Sequence, residues 1–397
     1  MKILYITPSL PNEFSRIRTK NILEAFKRNG DNVTLVSLYY KENELKSFEK
    51  EKQLVKKAIV IKQSKIVSFF NCIQHIFTKV PLRMAYVKNR KLHKFFKNMS
   101  QKDNYDMVYI KRLRMAQYAK HFNKQKVIID LTDSMTKYYD RLRYKAKGRE
   151  KLISIEEYYK IKKYEKVISE NYKTVICSKD DKNYIEKMSG HEFNDMKVVN
   201  NVIDTEKWIN TININQSGHR VKMAFSGVFS VSPNTLSIDY LIKNIMPKLS
   251  DNFTVTFVGK DCPEYLLKKA NDRIHFTGYV EDMREELSKY DIYVCPIMTG
   301  AGTKNKILQA ACVGLPIIAN DLAIEGLNSE IKKFIFFAND DMQIIEQIQK
   351  INLMETDKLS EILKEQQLFI KNNYDIPPIA EEIIEVIKSE KNNFSLS

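Results

Sequence analysis

Pro296-Ile-Met-Thr-Gly-Ala-Gly-Thr-Lys-Asn-Lys-Ile-Leu-Gln-Ala-Ala-Cys-Val-Gly-Leu-Pro316 is the stretch whose reading decides the fold. Its pattern predicts a strand over 292–296, a glycine turn over 300–303, a helix over 304–313 and a second strand over 316–320. A glycine turn between a strand's carboxyl end and a helix N-terminus presents backbone N–H groups and the positive end of a helix dipole, a setting that suits a phosphate or diphosphate. Gly302 and Thr303 are the candidate amide donors, with Lys304 and Lys306 as cationic partners. Such a turn is also an ordinary strand–helix loop when it stands alone. Here three features keep register with it: Gly278-Tyr-Val before a helix, Asp291-Ile-Tyr-Val-Cys-Pro296 leading in, and Ile324-Glu-Gly-Leu327 after the next strand.

Working outward, the second half continues this alternation of strands and helices. Strands are expected at 221–226, 253–258, 274–277 and 334–338, and helices at 234–245 and 281–288. In the first half, 2–7, 32–38, 106–111, 126–131, 174–177 and 198–202 read as strands, 16–28 as an amphipathic helix stopped by Gly30, and 145–171 as a long helical tract. A strand, helix and strand within the first 40 residues make a βαβ unit and imply a parallel sheet. The expected fold class is therefore α/β, with two Rossmann-like doubly wound domains facing a cleft, where ligands usually bind. The expected domains are 1–205, with a basic insertion at about 52–102; 206–375; and a C-terminal helix, 376–397, packing back on the first. The polar segment 204–220 is the candidate linker, and Pro377-Pro378 is expected to separate a last amphipathic helix at 379–389.

A chain of 397 residues with 43% hydrophobic and 29% charged residues has the composition of a globular protein of two domains. No apolar run approaches the ~18 residues of a membrane span, and a strand pattern begins at Lys2, so no signal peptide is expected. The five cysteines are scattered and never paired as CxxC, which points to a reducing cytosol and away from a disulfide framework or zinc site. Charge is uneven: residues 1–210 carry 45 Lys and Arg against 24 Asp and Glu, leaving 20 against 25 for the remainder. Within 52–102 there are 13 basic residues and no acid, interleaved with Phe69, Phe70, Ile73, Phe77, Phe95 and Phe96. That asymmetry points to an anionic partner of the first half. An anionic membrane surface fits a basic, aromatic-rich stretch; no nucleic-acid motif accompanies the charge, so nucleic acid is not an expected partner.

Residues 221–327 resemble the donor-binding domain of GT-B glycosyltransferases, family four or "group 1" type. The resemblance is carried by Phe225-Ser-Gly227, Ser232-Pro-Asn234, Phe257-Val-Gly259, Gly278-Tyr-Val280, the opening stretch and Glu325-Gly-Leu327. More loosely, Val127-Ile-Ile-Asp-Leu-Thr-Asp133, Val175-Ile-Cys-Ser-Lys-Asp-Asp181 and Val198-Val-Asn-Asn-Val-Ile-Asp204 resemble elements of the acceptor domain. The resemblance implies a retaining, metal-independent glycosyltransferase that needs no cofactor. It would move a hexosyl group from a UDP- or GDP-linked sugar to a glycan or lipid-linked acceptor in surface polysaccharide synthesis. A cytoplasmic protein, peripheral on the inner face of the membrane, is the expected setting. The absence of any D-x-D sequence agrees on the metal.

Carried onto this chain, the resemblance implies donor binding by Gly227, Asn234, Gly302, Thr303, Lys304, Lys306, Gln309 and Glu325, with Glu325 also catalytic. Glu325 otherwise reads as a loop residue capping the next turn. Asp130 and Asp133 end a strand; Asp133 is either an acceptor-orienting catalytic residue or the N-cap of the next helix. Arg18 either faces the acceptor side of the cleft or is a solvated helix arginine. None of the six histidines has a supporting constellation. The family's E-x7-E pair falls on Ala301 and Gln309, and no glycine occurs in 12–18, where its glycine-rich loop normally sits. A glutamine keeps hydrogen bonds to ribose hydroxyls but lacks a carboxylate's charge-assisted strength. The pattern therefore also fits a non-catalytic GT-B subunit that binds a glycan or a partner transferase.

Overall fold

The inner strands are apolar runs of the sequence buried on both faces, as parallel strands covered by helices must be, while the strands nearer the sheet edges are partly exposed. The computed structural model describes residues 1–11, 17–102, 104–214, 220–299 and 305–388. The chain divides into two compact units, Met1–Val202 with Ile376–Ser397, and Ile203–Asp375.

The first unit holds a seven-stranded sheet of β1 (Lys2–Thr7), β2 (Asn32–Tyr39), β3 (Lys57–Lys62), β4 (Met107–Lys111), β5 (Val127–Thr132), β6 (Lys173–Ile176) and β7 (Met196–Val198), in the order β3-β2-β1-β4-β5-β6-β7. Every pairing is parallel. Alternate residues feed two cores. Leu4, Ile6, Val108, Ile110 and Ile129 join one, while Ile3, Tyr5, Met107, Tyr109 and Ile128 join the other. Ile22, Leu23 and Phe26 of the helix Ile17–Arg28 belong to the second core, as do Ile376, Ile379, Ile383 and Ile384 of the helix Ile376–Lys388. Lys173 Nζ donates to the Val386 carbonyl at 3.0 Å, a cation on the carbonyl end of that last helix.

Four sequence expectations are corrected here. Pro377-Pro378 does not separate the last helix but lies in its first turn, where proline gives up an N–H that has no helical partner. The strand expected at 198–202 lies at Met196–Val198, because the Val199 and Asn200 carbonyls accept from Arg18. The region 52–102 is not wholly an insertion: it opens with β3, the edge strand of the sheet. The candidate linker includes a helical turn, Thr205–Trp208, and Trp208 packs on the core of the second unit.

The second unit holds a six-stranded sheet of β8 (Val221–Ser226), β9 (Phe253–Val258), β10 (Ile274–Gly278), β11 (Ile292–Cys295), β12 (Ile317–Ala319) and β13 (Phe336–Phe337), in the order β10-β9-β8-β11-β12-β13. These pairings are also all parallel. Order reverses between β8 and β11, the position at which doubly wound sheets bind ligands beyond the strands' carboxyl ends. Among the described residues, no helix is long and apolar enough to cross a membrane.

Candidate functional site

In the second unit the site is built at the carboxyl end of β8. Gly227 follows that strand, and a Cβ placed on it would lie 2.6 Å from Asn234 Nδ2 and 3.2 Å from Lys306 Nζ. Glycine is required there by space, since the two side chains occupy it. Asn234 sits in the first turns of the helix Ser232–Tyr240, whose first turn contains Pro233. Its Nδ2 donates to the Val228 carbonyl at 2.9 Å, and its Oδ1 accepts from Lys306 Nζ at 2.8 Å. The same ammonium lies 4.0 Å from the centroid of the Phe225 ring, a cation–π contact. Lys306 is on the first turn of the helix Asn305–Val313, and Gln309, buried, is one turn further along the same face. Gly227 and Asn234 are thus brought together with Lys306, 72 residues beyond Asn234, and Gln309 lies beside Lys306. The remaining donor-side candidates Gly302, Thr303 and Lys304 lie outside the described residues.

Two features of this site were given no role from the sequence, although Gly259 belongs to the Phe257-Val-Gly259 motif. Gly259, after β9, would place a Cβ 1.8 Å from the Gly227 carbonyl oxygen, so the loops after β8 and β9 touch backbone to backbone. The Gly227 N–H donates to the Val258 carbonyl at 3.0 Å, and Phe229 N–H to Lys260 at 2.9 Å. Asn320, after β12, ties that strand's end to β11's: its Nδ2 donates to the Ile297 carbonyl at 2.8 Å, and its Oδ1 accepts from Ile297 N–H and Ala323 N–H. Asn320 thereby caps the short helix Asp321–Ile324 that delivers Glu325, half-buried, into the following turn.

In the first unit, Asp130 is fully buried in β5 and accepts from Tyr109 Oη at 2.6 Å, Lys111 Nζ at 2.7 Å, Thr132 Oγ1 at 3.0 Å and Arg18 Nε at 3.2 Å. Burial alone raises its pKa, but the Arg18 and Lys111 charges outweigh burial and hold the carboxyl well below the usual range. Lys111, buried beside it, is pushed down to about 8 by burial, against the attraction of Asp130. Arg18 is not the solvated helix arginine of one reading. It is buried, and its guanidinium also donates to the Val199 and Asn200 carbonyls and to Asn201 Oδ1. Arg18 thus bolts the segment after β7 to β5.

Asp133 is half-exposed and accepts from Arg112 Nη1 at 3.1 Å. It is not the N-cap of the next helix, Met135–Lys145; Ser134 is, accepting from the Lys137 N–H. Thr132 and Arg112, on either side of this site, have positive φ (70° and 74°), a conformation that costs energy in a non-glycine residue. Glu165, fully buried, receives Ser134 Oγ and the N–H groups of Met135 and Thr136, anchoring the segment that presents Asp133. Its position on the helix Gly148–Asn171, far along the chain, gave no signal in the sequence. Two histidines also meet unexpectedly: His93 Nδ1 lies 2.9 Å from His121 Nε2, and burial lowers the His93 pKa to about 4.

A family model described as glycosyl transferases group 1 matches residues 220–352, and the two parallel sheets have the GT-B architecture of the solved structures that the chain resembles. Among solved structures, it is similar to HepE of Anabaena in complex with UDP, at 14% identity and a TM-score of 0.66, covering 98% of this chain and 100% of that one. It is also similar to a glycosyltransferase from Rickettsia africae, at 14% identity and TM-score 0.68, covering 98% of each chain. Sucrose-phosphate synthase from Thermosynechococcus elongatus gives 13% identity and TM-score 0.70, covering 99% and 100%. No curated protein matches the chain.

Proposed function

We propose that the chain is a retaining, metal-independent transferase that moves a hexosyl group from a UDP- or GDP-sugar to a glycan or lipid-linked acceptor in surface polysaccharide synthesis, without a cofactor. The meeting of Gly227, Asn234 and Lys306 at the switch point of the second sheet carries this reading. In the reaction the anomeric C–O bond to the diphosphate breaks, a C–O bond to the acceptor oxygen forms, and the acceptor's hydroxyl proton is taken up by a base. Charge accumulates on the departing diphosphate, and Lys306, oriented by Asn234 and the Phe225 ring, is placed to stabilise it in the absence of a metal. Gly302, Thr303 and Lys304 are assigned to the same diphosphate on the sequence pattern. Glu325 and Gln309 are assigned to the sugar and ribose, and Asp133 to the acceptor hydroxyl. The UDP bound to HepE, whose fold this chain shares, supports a nucleoside diphosphate as the leaving group.

The test is a thermal-shift panel of nucleotide sugars followed by transfer assays. A ligand that binds only the native state raises its apparent stability. Lys306→Ala and Glu325→Ala should each lower transfer by roughly 10- to 100-fold, the worth of a charge-assisted contact, with circular dichroism unchanged. Unchanged rates in both variants would remove this assignment. Gln309, standing where the family has a carboxylate, favours one second reading: a non-catalytic subunit that holds a glycan or a partner transferase. Sugar transfer or slow donor hydrolysis by the purified chain alone rules that out.

A further inference from the structure

The helix Lys65–His75 is amphipathic in the reverse sense. Its inward face is polar: Ser68 Oγ accepts from Gln63 Nε2 at 2.9 Å, Asn71 Nδ2 donates to the Lys88 carbonyl at 2.9 Å, and His75 lies against Lys88. Its outward face is apolar. Ile66, Phe69, Phe70 and Ile73 recur at helical spacing and are 69%, 61%, 57% and 46% exposed, and Phe77, just beyond the helix, is 98% exposed. Aromatic groups this bare, clustered on one face, form a patch of the kind that marks an interaction surface. The polar inner face is satisfied by the protein, so the apolar side cannot be turned inward without breaking those bonds.

We infer that this face docks on an anionic phospholipid surface, lying in the plane of the interface with Phe69, Phe70 and Phe77 among the acyl chains. Charge identifies the occupant. Exposed Lys65 and Lys79 flank the apolar face, exposed Lys91, Lys94 and Lys97 follow in the same stretch, and residues 52–102 contain no acid. Anionic headgroups attract such a rim while the acyl region takes up the aromatics. A second copy of the chain is a poor occupant, since a two-fold contact would set one acid-free basic stretch against another. A nucleic acid is equally poor, because the centre of the patch is aliphatic and aromatic and the cations stand at its edge. This inference concerns a surface of the first unit and does not depend on the donor assignment.

Co-sedimentation of the full chain with vesicles tests it. Wild type should pellet with vesicles of phosphatidylcholine containing about a third phosphatidylglycerol, much less with phosphatidylcholine alone, and less as salt is raised. The triple variant Phe69→Ser, Phe70→Ser, Phe77→Ser should lose at least about tenfold in partitioning, with circular dichroism and UDP thermal shift as wild type. Lys65→Glu with Lys79→Glu should lower binding to the anionic vesicles while leaving the apolar face whole. Failure of wild type to pellet, equal binding by the triple variant, or a wild-type dimer that the triple variant disperses would each overturn the inference.

Discussion

Asp130→Asn separates a structural role for the buried cluster of the first unit from a direct role in holding an acceptor. The carboxylate is fully buried and takes four hydrogen bonds, two of them from the buried cations Arg18 and Lys111. The amide keeps the shape but leaves two buried cations without their counter-charge. Breaking a buried pair in this way costs ~3–5 kcal/mol. At about 1.4 kcal/mol per tenfold, that is roughly a hundredfold or more in the unfolding equilibrium. The lower end is expected, because Lys111 is already pushed down to about 8 and sheds its proton more easily once Asp130 is neutral. A buried lysine with a depressed pKa binds fewer protons when folded than when unfolded, so stability rises with pH through that window. In the variant the window opens at lower pH, and its deficit against wild type should shrink between pH 6 and pH 8. Urea unfolding resolves the units by probe. Trp208, the sole tryptophan, packs on the core of the second unit, while far-UV circular dichroism reports both. The dichroism transition should move to lower urea with the Trp208 fluorescence transition unchanged. A loss under about 1 kcal/mol, with a raised KM for acceptor instead, would refute the structural assignment.

Four further outcomes follow from particular contacts. Gly259→Ala drives a Cβ to 1.8 Å from the Gly227 carbonyl oxygen, where backbone must move, and should destabilise the second unit by more than about 2 kcal/mol in Trp208-monitored unfolding. Gly227→Ala is strained by the positive φ (158°) and presses on the Asn234 and Lys306 side chains, so it should cost about 1–3 kcal/mol of stability and also weaken nucleotide-sugar binding. Glu165, raised from 4.5 to about 7 by burial, binds its proton more tightly when folded, so its contribution to stability is lost as pH rises from about 4.5 to 7. Glu165→Gln should therefore gain on wild type by on the order of 3 kcal/mol between pH 5 and pH 8 in urea titrations. Asn320→Ala removes the ties to Ile297 and Ala323 and should cost ~1–3 kcal/mol while lowering transfer through the segment that carries Glu325.

What was legible in the sequence was what depends on short-range pattern. The strands at 2–7, 221–226 and 253–258 coincide with β1, β8 and β9, because inner strands buried on both faces are dominated by apolar residues, and the residues on either side of these runs end them. β3 escaped because Lys57 and Lys62 bracket it on a sheet edge, where charge is tolerated and the apolar signal is diluted. The donor-side candidates Gly227, Asn234 and Lys306 were legible as motif positions, yet their reason is spatial: Asn234 and Lys306 fill the room a Cβ on Gly227 would need. Gly259 has the same logic one strand over: its motif was legible, but the contact with the Gly227 carbonyl that demands glycine was not. Arg18 shows the limit most directly. A helix arginine looks solvated from its neighbours in sequence, and only folding brings Asp130 and the carbonyls of Val199 and Asn200, more than a hundred residues away, around its guanidinium. A buried arginine needs that many acceptors to offset its desolvation, so its partners are chosen by topology. The same topology leaves Asp133, beside the strained Thr132 and on a segment anchored through Glu165, half-exposed, while it closes the neighbouring Asp130 off from solvent.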